Sequence, residues 1–268
     1  MLLSLRPSTK VLQRTFSQLA TSSRGLVPDD FVLLSDFFDP HEQRILLTTA
    51  LHKLDSQESR RIRKLQKEYR ANNPVPHSAP LESIFLPERC YSVYHLMGAT
   101  NHLQGHYDNV IRDYREMHLT SWTESEIPGL TLILNRLRAL YPSRHTQTHL
   151  LHLSSTGEIL PHIDNISASG VWIVGASLGA TRMLKMEATD GTIHRSFETL
   201  LPSGSVYLQR DDVRYNWKHS IVHPQEQGEV KRGQRVSIMV RVGQDVHLLW
   251  FLLIYGQDCK EEGCPVKS

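Results

Sequence analysis

Hydrophobic and polar positions alternate with period two through much of the second half of the chain. Residues 171–178, 181–186 and 206–209 are short runs rich in branched and aromatic side chains, and Gly179, Asp190, Gly191, Ser203 and Gly204 punctuate them. Short strands at such intervals predict a β-barrel or sandwich. Residues 215–222 read as a further strand. In the last strand Val236, Ile238 and Val240 fall on one face and Arg235, Ser237, Met239 and Arg241 on the other. The first half reads differently. Residues 31–34 suggest an edge strand, after which Asp39 can cap a helix, with Pro40 at its first position and Glu42 completing a capping box ahead of Ile45, Leu46, Ala50 and Leu51. Residues 56–71 predict a second helix, with Arg60, Arg63, Lys64, Lys67 and Arg70 on one stripe and Ile62, Leu65 and Tyr69 on another. A solvated cationic face is the expectation, with phosphate contact as the alternative. Pro74, Pro76 and Pro80 mark a loop, and Pro128-Gly129 turns into a helix over residues 130–140. Residues 109–118 lack strand alternation and predict no strand. The fold class is mainly β with flanking helices.

Composition changes this picture little, since 268 residues with 22% charged side chains describe an ordinary globular chain. The charge distribution is more telling. Residues 1–28 hold Arg6, Lys10, Arg14 and Arg24 with no acid, and removing these four cations turns the formal charge from +2 to −2. Basic, leucine-interleaved and rich in Ser and Thr, this segment reads as a mitochondrial transit peptide. Cys90, Cys259 and Cys264 are too few and scattered for a disulfide framework, which fits a reducing compartment. The longest apolar run, residues 248–255, is far short of the roughly 20 residues a helix needs to cross a bilayer, so no transmembrane span is expected.

The candidate chemistry centres on His162 and Asp164. On a strand, positions two apart share a face, so an imidazole and a carboxylate converge here. A second histidine would complete a 2-His-1-carboxylate triad, which suits non-heme Fe(II). Spacing alone is weak evidence: with 15 His in the chain, about 0.7 chance matches to His-x-Asp are expected. A second match, His106 and Asp108, lacks a following β-run and reads as structural. His95, His102 and His118 read as surface or hydrogen-bonded residues. For the third ligand His219 is favoured over His223, which adjoins Pro224 where the strand should end. Arg235 and Arg241 would be costly inside a barrel unless an anion neutralises them. Arginine suits bidentate carboxylate recognition, so a dicarboxylate beside the metal would satisfy both. An outward, solvated arginine pair is the alternative.

His162-x-Asp164, His219 and Arg235-x5-Arg241 together resemble the AlkB family of Fe(II)/2-oxoglutarate dioxygenases, with the likeness running from about residue 31 to 242. Residues 106–111, 114–116, Trp122, 157–165, 204–208 and 214–219 add to it and point to a mitochondrial branch. The resemblance implies a double-stranded β-helix, a jelly-roll or cupin-like core, over residues 29–242, with residues 243–268 a tail of unknown role. It implies Fe(II) held by His162, Asp164 and His219, 2-oxoglutarate held by Arg235 and Arg241, and O2 as the co-reactant. It further implies a protein substrate or, as the alternative, mitochondrial RNA, a matrix location, and roles in programmed necrosis and fatty-acid metabolism. Two features depart from the wider family. Leu151 and Leu153 stand where many relatives carry an Asn-x-Tyr contact to 2-oxoglutarate, and no basic and aromatic lid for a flipped base is evident. A metal-binding scaffold with little turnover and a zinc hydrolase built on His-Asp-His are the competing readings. The hydrolase leaves the arginines unexplained.

Overall fold

The computed structural model of the chain describes residues 27–76, 78–92, 110–142, 145–166, 170–190, 195–224 and 232–242. The expected transit peptide and tail therefore lie almost wholly outside the described residues, as do His95, His102 and the His106/Asp108 pair. Nine antiparallel strands form one folded-over sheet: β1 (Phe31–Leu34), β2 (Ile111–Leu119), β3 (Thr146–His162), β4 (Trp172–Gly179), β5 (Arg182–Ala188), β6 (Ser196–Leu201), β7 (Val206–Arg210), β8 (Trp217–Val222) and β9 (Arg235–Val242). The strand order is β1-β7-β4-β9-β3-β8-β5-β6, with β2 also on β3. The 17-residue β3 serves two layers. Its first half pairs with β9 from Thr146 to Leu153, and its end pairs with β8 at Ile159 and His162. The strand thus turns the sheet back on itself, as the jelly-roll expectation requires.

Helices cover one face. Helix α1 (Pro40–Ser56) begins with the capping box read from the sequence, Asp39 accepting from the Glu42 amide while Glu42 accepts from the Asp39 amide. Helix α2 (Arg60–Asn72) keeps its cations in solvent and buries Gln66 alone. Helix α3 (Leu130–Arg138) packs with α1 against the outer face of the sheet, where Leu46, Leu47, Ile133 and Leu134 meet Val236, Ile238 and Val240 of β9. The opposite face of the sheet lines the barrel interior with Leu151, Leu153, Met186, Tyr207 and Trp217. Period two in β9 therefore delivers its valines to the helices and its arginines inward. Among the described residues no helix is long and apolar enough to cross a membrane.

Two expectations fail locally. Residues 111–119, read as lacking a strand, form β2. A bulge between Arg112 and Tyr114, with Asp113 at φ 49°, shifts the register partway along and hides the alternation. Residues 215 and 216 belong to a short helix, α4 (Asp211–Asn216), and β8 starts only at Trp217.

Between the helices and β2–β3 lies a buried polar network. Arg115 donates to Asp55 (2.7 Å), to Glu58 (3.1 Å) and through Nε to His152 Nδ1 (2.9 Å). Arginine always donates, so His152 must present an unprotonated Nδ1 there and donate from Nε2 to Gln234 Oε1 (2.9 Å). Burial and then the Arg115 charge hold the His152 pKa well below 6.5. An unfolded chain protonates this imidazole below about pH 6.5 while the folded one does not, so stability is full above that pH and falls as pH drops. For the full chain, urea midpoints should decline from pH 7 to pH 5. His152→Gln should remove about one proton per molecule from that dependence, or about 1.4 kcal/mol per pH unit. An unchanged slope would mean that His152 titrates in the folded state.

Candidate metal centre and anion pocket

The β3–β8 register sets His162 directly opposite His219, with ring centroids 4.2 Å apart. His162 is the last residue of β3, and Asp164 lies past the strand end in irregular backbone, not on the strand as the spacing suggested. Its carboxylate still turns inward: Oδ1 stands 3.1 Å from His162 Nε2 and 3.7 Å from His219 Nε2. One ligand atom from each of the three lies within 4.8 Å of the others, and among the described residues no other His, Cys, Asp or Glu cluster meets that test. His223 is outside it. The backbone carbonyl of Leu160 accepts from His162 Nδ1 at 2.9 Å, which leaves the Nε2 lone pair facing the cluster, as in many metal-binding histidines.

Electrostatics suit a cation. Burial alone would raise the Asp164 carboxyl, but the His162 hydrogen bond and the Arg241 charge outweigh it and hold the group far below the usual carboxylate range. His219, 5% exposed, is pulled down to about 3 by burial and then by the charge of His162, so at neutral pH it is a neutral donor. Two neutral imidazoles and one ionised carboxylate are the donor set that a divalent ion such as Fe(II) takes, so these residues fit the metal the sequence suggested.

Both arginines are buried, at 1% and 8% exposure, which removes the solvated alternative. They are not equivalent. Arg241 places Nε and Nη2 each 2.9 Å from Asp164 Oδ2, the oxygen that does not face the histidines. Arg235 donates from Nε to Ser177 Oγ at 2.9 Å and from Nη1 to Ser237, while its Nη2 is buried with no partner among the described residues. Burial lowers its pKa to about 10, which still leaves it charged at neutral pH. A charged, dry, unsatisfied donor is what an anion would complete.

Ile111, Leu151, Ile159, Ile221 and Met239 supply apolar walls to the same pocket. Two further polar side chains line it that sequence reasoning missed, His149 and Tyr207. His149 sits on β3 with Nε2 3.0 Å from Glu116 Oε2 and its ring stacked on His118 at 4.5 Å. Tyr207 enters from β7, opposite Gly175 of β4. A Cβ at Gly175 would lie 2.3 Å from Tyr207 Cζ, so the ring fits only over a glycine. Burial pushes the Tyr207 phenol up, keeping it a donor at neutral pH. An inward tyrosine in a strand is common in cores, so no signal in the alternation singled it out.

Comparison with known proteins agrees with this geometry. Residues 30–241 match the family described as the 2OG-Fe(II) oxygenase superfamily. Over 144 residues the chain is 33% identical to the mouse (Mus musculus) protein named alpha-ketoglutarate-dependent dioxygenase alkB homolog 7, mitochondrial, and 32% identical to its cattle (Bos taurus) counterpart. Each match covers 51% of this chain, which spans 63% of the length of these two relatives. Among solved structures, a Trichoplax adhaerens prolyl hydroxylase in complex with a hypoxia inducible factor peptide fragment superposes with TM-score 0.50 and 11% identity, over 91% of this chain and 97% of that one. Identity so low supports the jelly-roll fold alone. With the superfamily match spanning nearly every described strand, the chain belongs to the 2OG-Fe(II) oxygenases, a family that works with Fe(II) and 2-oxoglutarate.

Proposed function

We propose that this chain is a mitochondrial Fe(II)- and 2-oxoglutarate-dependent dioxygenase of the AlkB type. The observation that carries the reading is the adjacency of the His162/Asp164/His219 cluster to the unsatisfied guanidinium of Arg235. In it, His162 Nε2, His219 Nε2 and an Asp164 oxygen hold Fe(II). Arg235 takes one carboxylate of 2-oxoglutarate, and Arg241 aligns Asp164 while lending positive charge to the other. The phenol of Tyr207 adds a donor in place of the tyrosine absent at Leu151 and Leu153. Bound Fe(II) supplies the redox chemistry by which O2 and 2-oxoglutarate yield succinate, CO2 and a hydroxylated substrate C–H bond. The chain's own part is to orient the dicarboxylate and keep water from the apolar walls.

The mitochondrial assignment rests on the names of the two relatives and on the acid-free basic segment at residues 1–28, and the matrix is the compartment we propose. A protein is the favoured substrate because the sequence offers no evident lid for a flipped base; mitochondrial RNA is the alternative. Family resemblance is also the support for roles in programmed necrosis and fatty-acid metabolism. The decisive experiment is an anaerobic titration of the full chain with Fe(II) and 2-oxoglutarate. A visible metal-to-ligand charge-transfer band requiring both is expected. Metal uptake without a band or cosubstrate affinity would favour a scaffold or a hydrolase.

Tyr207 can be tested in the same titration. Gly175→Ala should displace the ring and weaken 2-oxoglutarate binding by roughly tenfold or more, the scale of one lost hydrogen bond to a charged group. Tyr207→Phe should give a similar loss. Unchanged affinity in both variants would remove Tyr207 from the cosubstrate site.

A further inference from the structure

Asp164 has an unusual mounting for a residue that must be held to a fraction of an ångström. It follows the end of β3, in irregular backbone, so no strand ladder fixes its main chain. Arg214 stands in for the ladder. Its Nη1 donates to the carbonyl of Asp164 (3.2 Å) and its Nη2 to the carbonyl of Asn165 (3.3 Å), so one rigid planar group grips two successive peptides. The side chain is 2% exposed, and the desolvation of a guanidinium is expensive where the acceptors are neutral carbonyls.

The platform under Arg214 is itself pinned. Asp212 accepts from Asn216 Nδ2 (2.8 Å) and from Trp217 Nε1 (3.1 Å), and both the amide and the hydroxyl of Thr189 donate to the Asn216 carbonyl (2.9 Å each). Helix α4 then runs directly into β8, which carries His219 two residues after Trp217. Arg214 therefore couples the backbone of one ligand to the element that bears another.

We infer that Arg214 is a positioning residue for the metal centre, one that fixes the Asp164 main chain relative to His219 and so sets metal affinity without touching the metal. The inference rests on the His162/Asp164/His219 assignment, and its test separates the two. The full chain is titrated with Mn(II), followed by loss of the free-ion electron paramagnetic resonance signal, for wild type, Asp164→Ala, Arg214→Ala and Arg214→Lys. Arg214→Ala should retain its circular dichroism and lose roughly 10- to 100-fold in Mn(II) affinity, the range for groups that orient metal ligands. Lysine, which cannot span both carbonyls, should fall between, and millimolar guanidinium should restore part of the affinity to Arg214→Ala. A folded Arg214→Ala with wild-type affinity overturns the inference. Should that variant fail to fold, wild-type affinity in Arg214→Lys overturns it instead. No Mn(II) binding by wild type, or binding unaffected by Asp164→Ala, would instead overturn the ligand assignment.

Discussion

Asp164→Ala is expected to abolish Fe(II) retention and, with it, the charge-transfer band. Asp164 is the one anionic donor of the three and lies at the junction of two sets of contacts. One oxygen faces His162 and His219; the other carries both donors of Arg241. Removing the carboxylate takes away a ligand and leaves the Arg241 guanidinium buried without its charge partner. Loss of metal affinity should exceed the roughly 10- to 100-fold seen for groups that merely orient ligands. Stability should fall as well, because breaking a buried ion pair from one side costs about 3–5 kcal/mol. Asp164→Asn separates the two effects: it keeps the volume and an acceptor for Arg241 but not the charge. Full iron binding with an intact band in a folded Asp164→Asn or Asp164→Ala protein would exclude Asp164 from the metal centre.

How much of this site was legible in the sequence varies residue by residue, for physical reasons. The inward turn of Arg235 and Arg241 was readable because β9 is regular and its partner face is purely aliphatic, so period two has a single solution. His219 was readable for the same reason, since it lies mid-strand in β8. Asp164 was identified by a rule that does not hold there: the i, i+2 argument assumes a strand, and the strand ends at His162. The carboxylate reaches the site because Arg214 and Arg241 hold it, contacts 50 and 77 residues away in sequence that no local pattern encodes. β2 was missed because a single bulge at Asp113 exchanges the faces of the strand halfway along. Its inward Arg115 reads as a surface residue until Asp55 and Glu58, on and just beyond the end of α1, are seen beside it. Tyr207 and His149 depend on which strands become neighbours, which is a property of the fold-over of β3 and not of either strand alone. Local order was thus visible wherever a strand or helix was regular, and hidden wherever the chain departed from regularity to build the pocket.

Arg235→Ala should separate cosubstrate binding from metal binding, which no change at Arg241 can do. Arg241 is bonded to Asp164, so its removal disturbs the metal ligand and the anion pocket together. Arg235 touches no metal candidate. Its Nε and Nη1 rest on Ser177 and Ser237, and its Nη2 awaits an acceptor. Truncating one side of a buried, hydrogen-bonded charge pair costs about 2–5 kcal/mol, which corresponds to roughly 30-fold to several thousand-fold weaker 2-oxoglutarate binding at saturating Fe(II). The unliganded protein should barely change in thermal midpoint, because losing the packed stem of the side chain opposes the relief of removing a buried, half-satisfied cation. Fe(II) affinity measured without cosubstrate should stay at the wild-type value. Arg235→Lys should recover part of the affinity, since lysine restores the charge but not the planar two-donor face. Wild-type 2-oxoglutarate affinity in a folded Arg235→Ala protein would show that the anion is held elsewhere and that the buried charge of Arg235 serves some other partner.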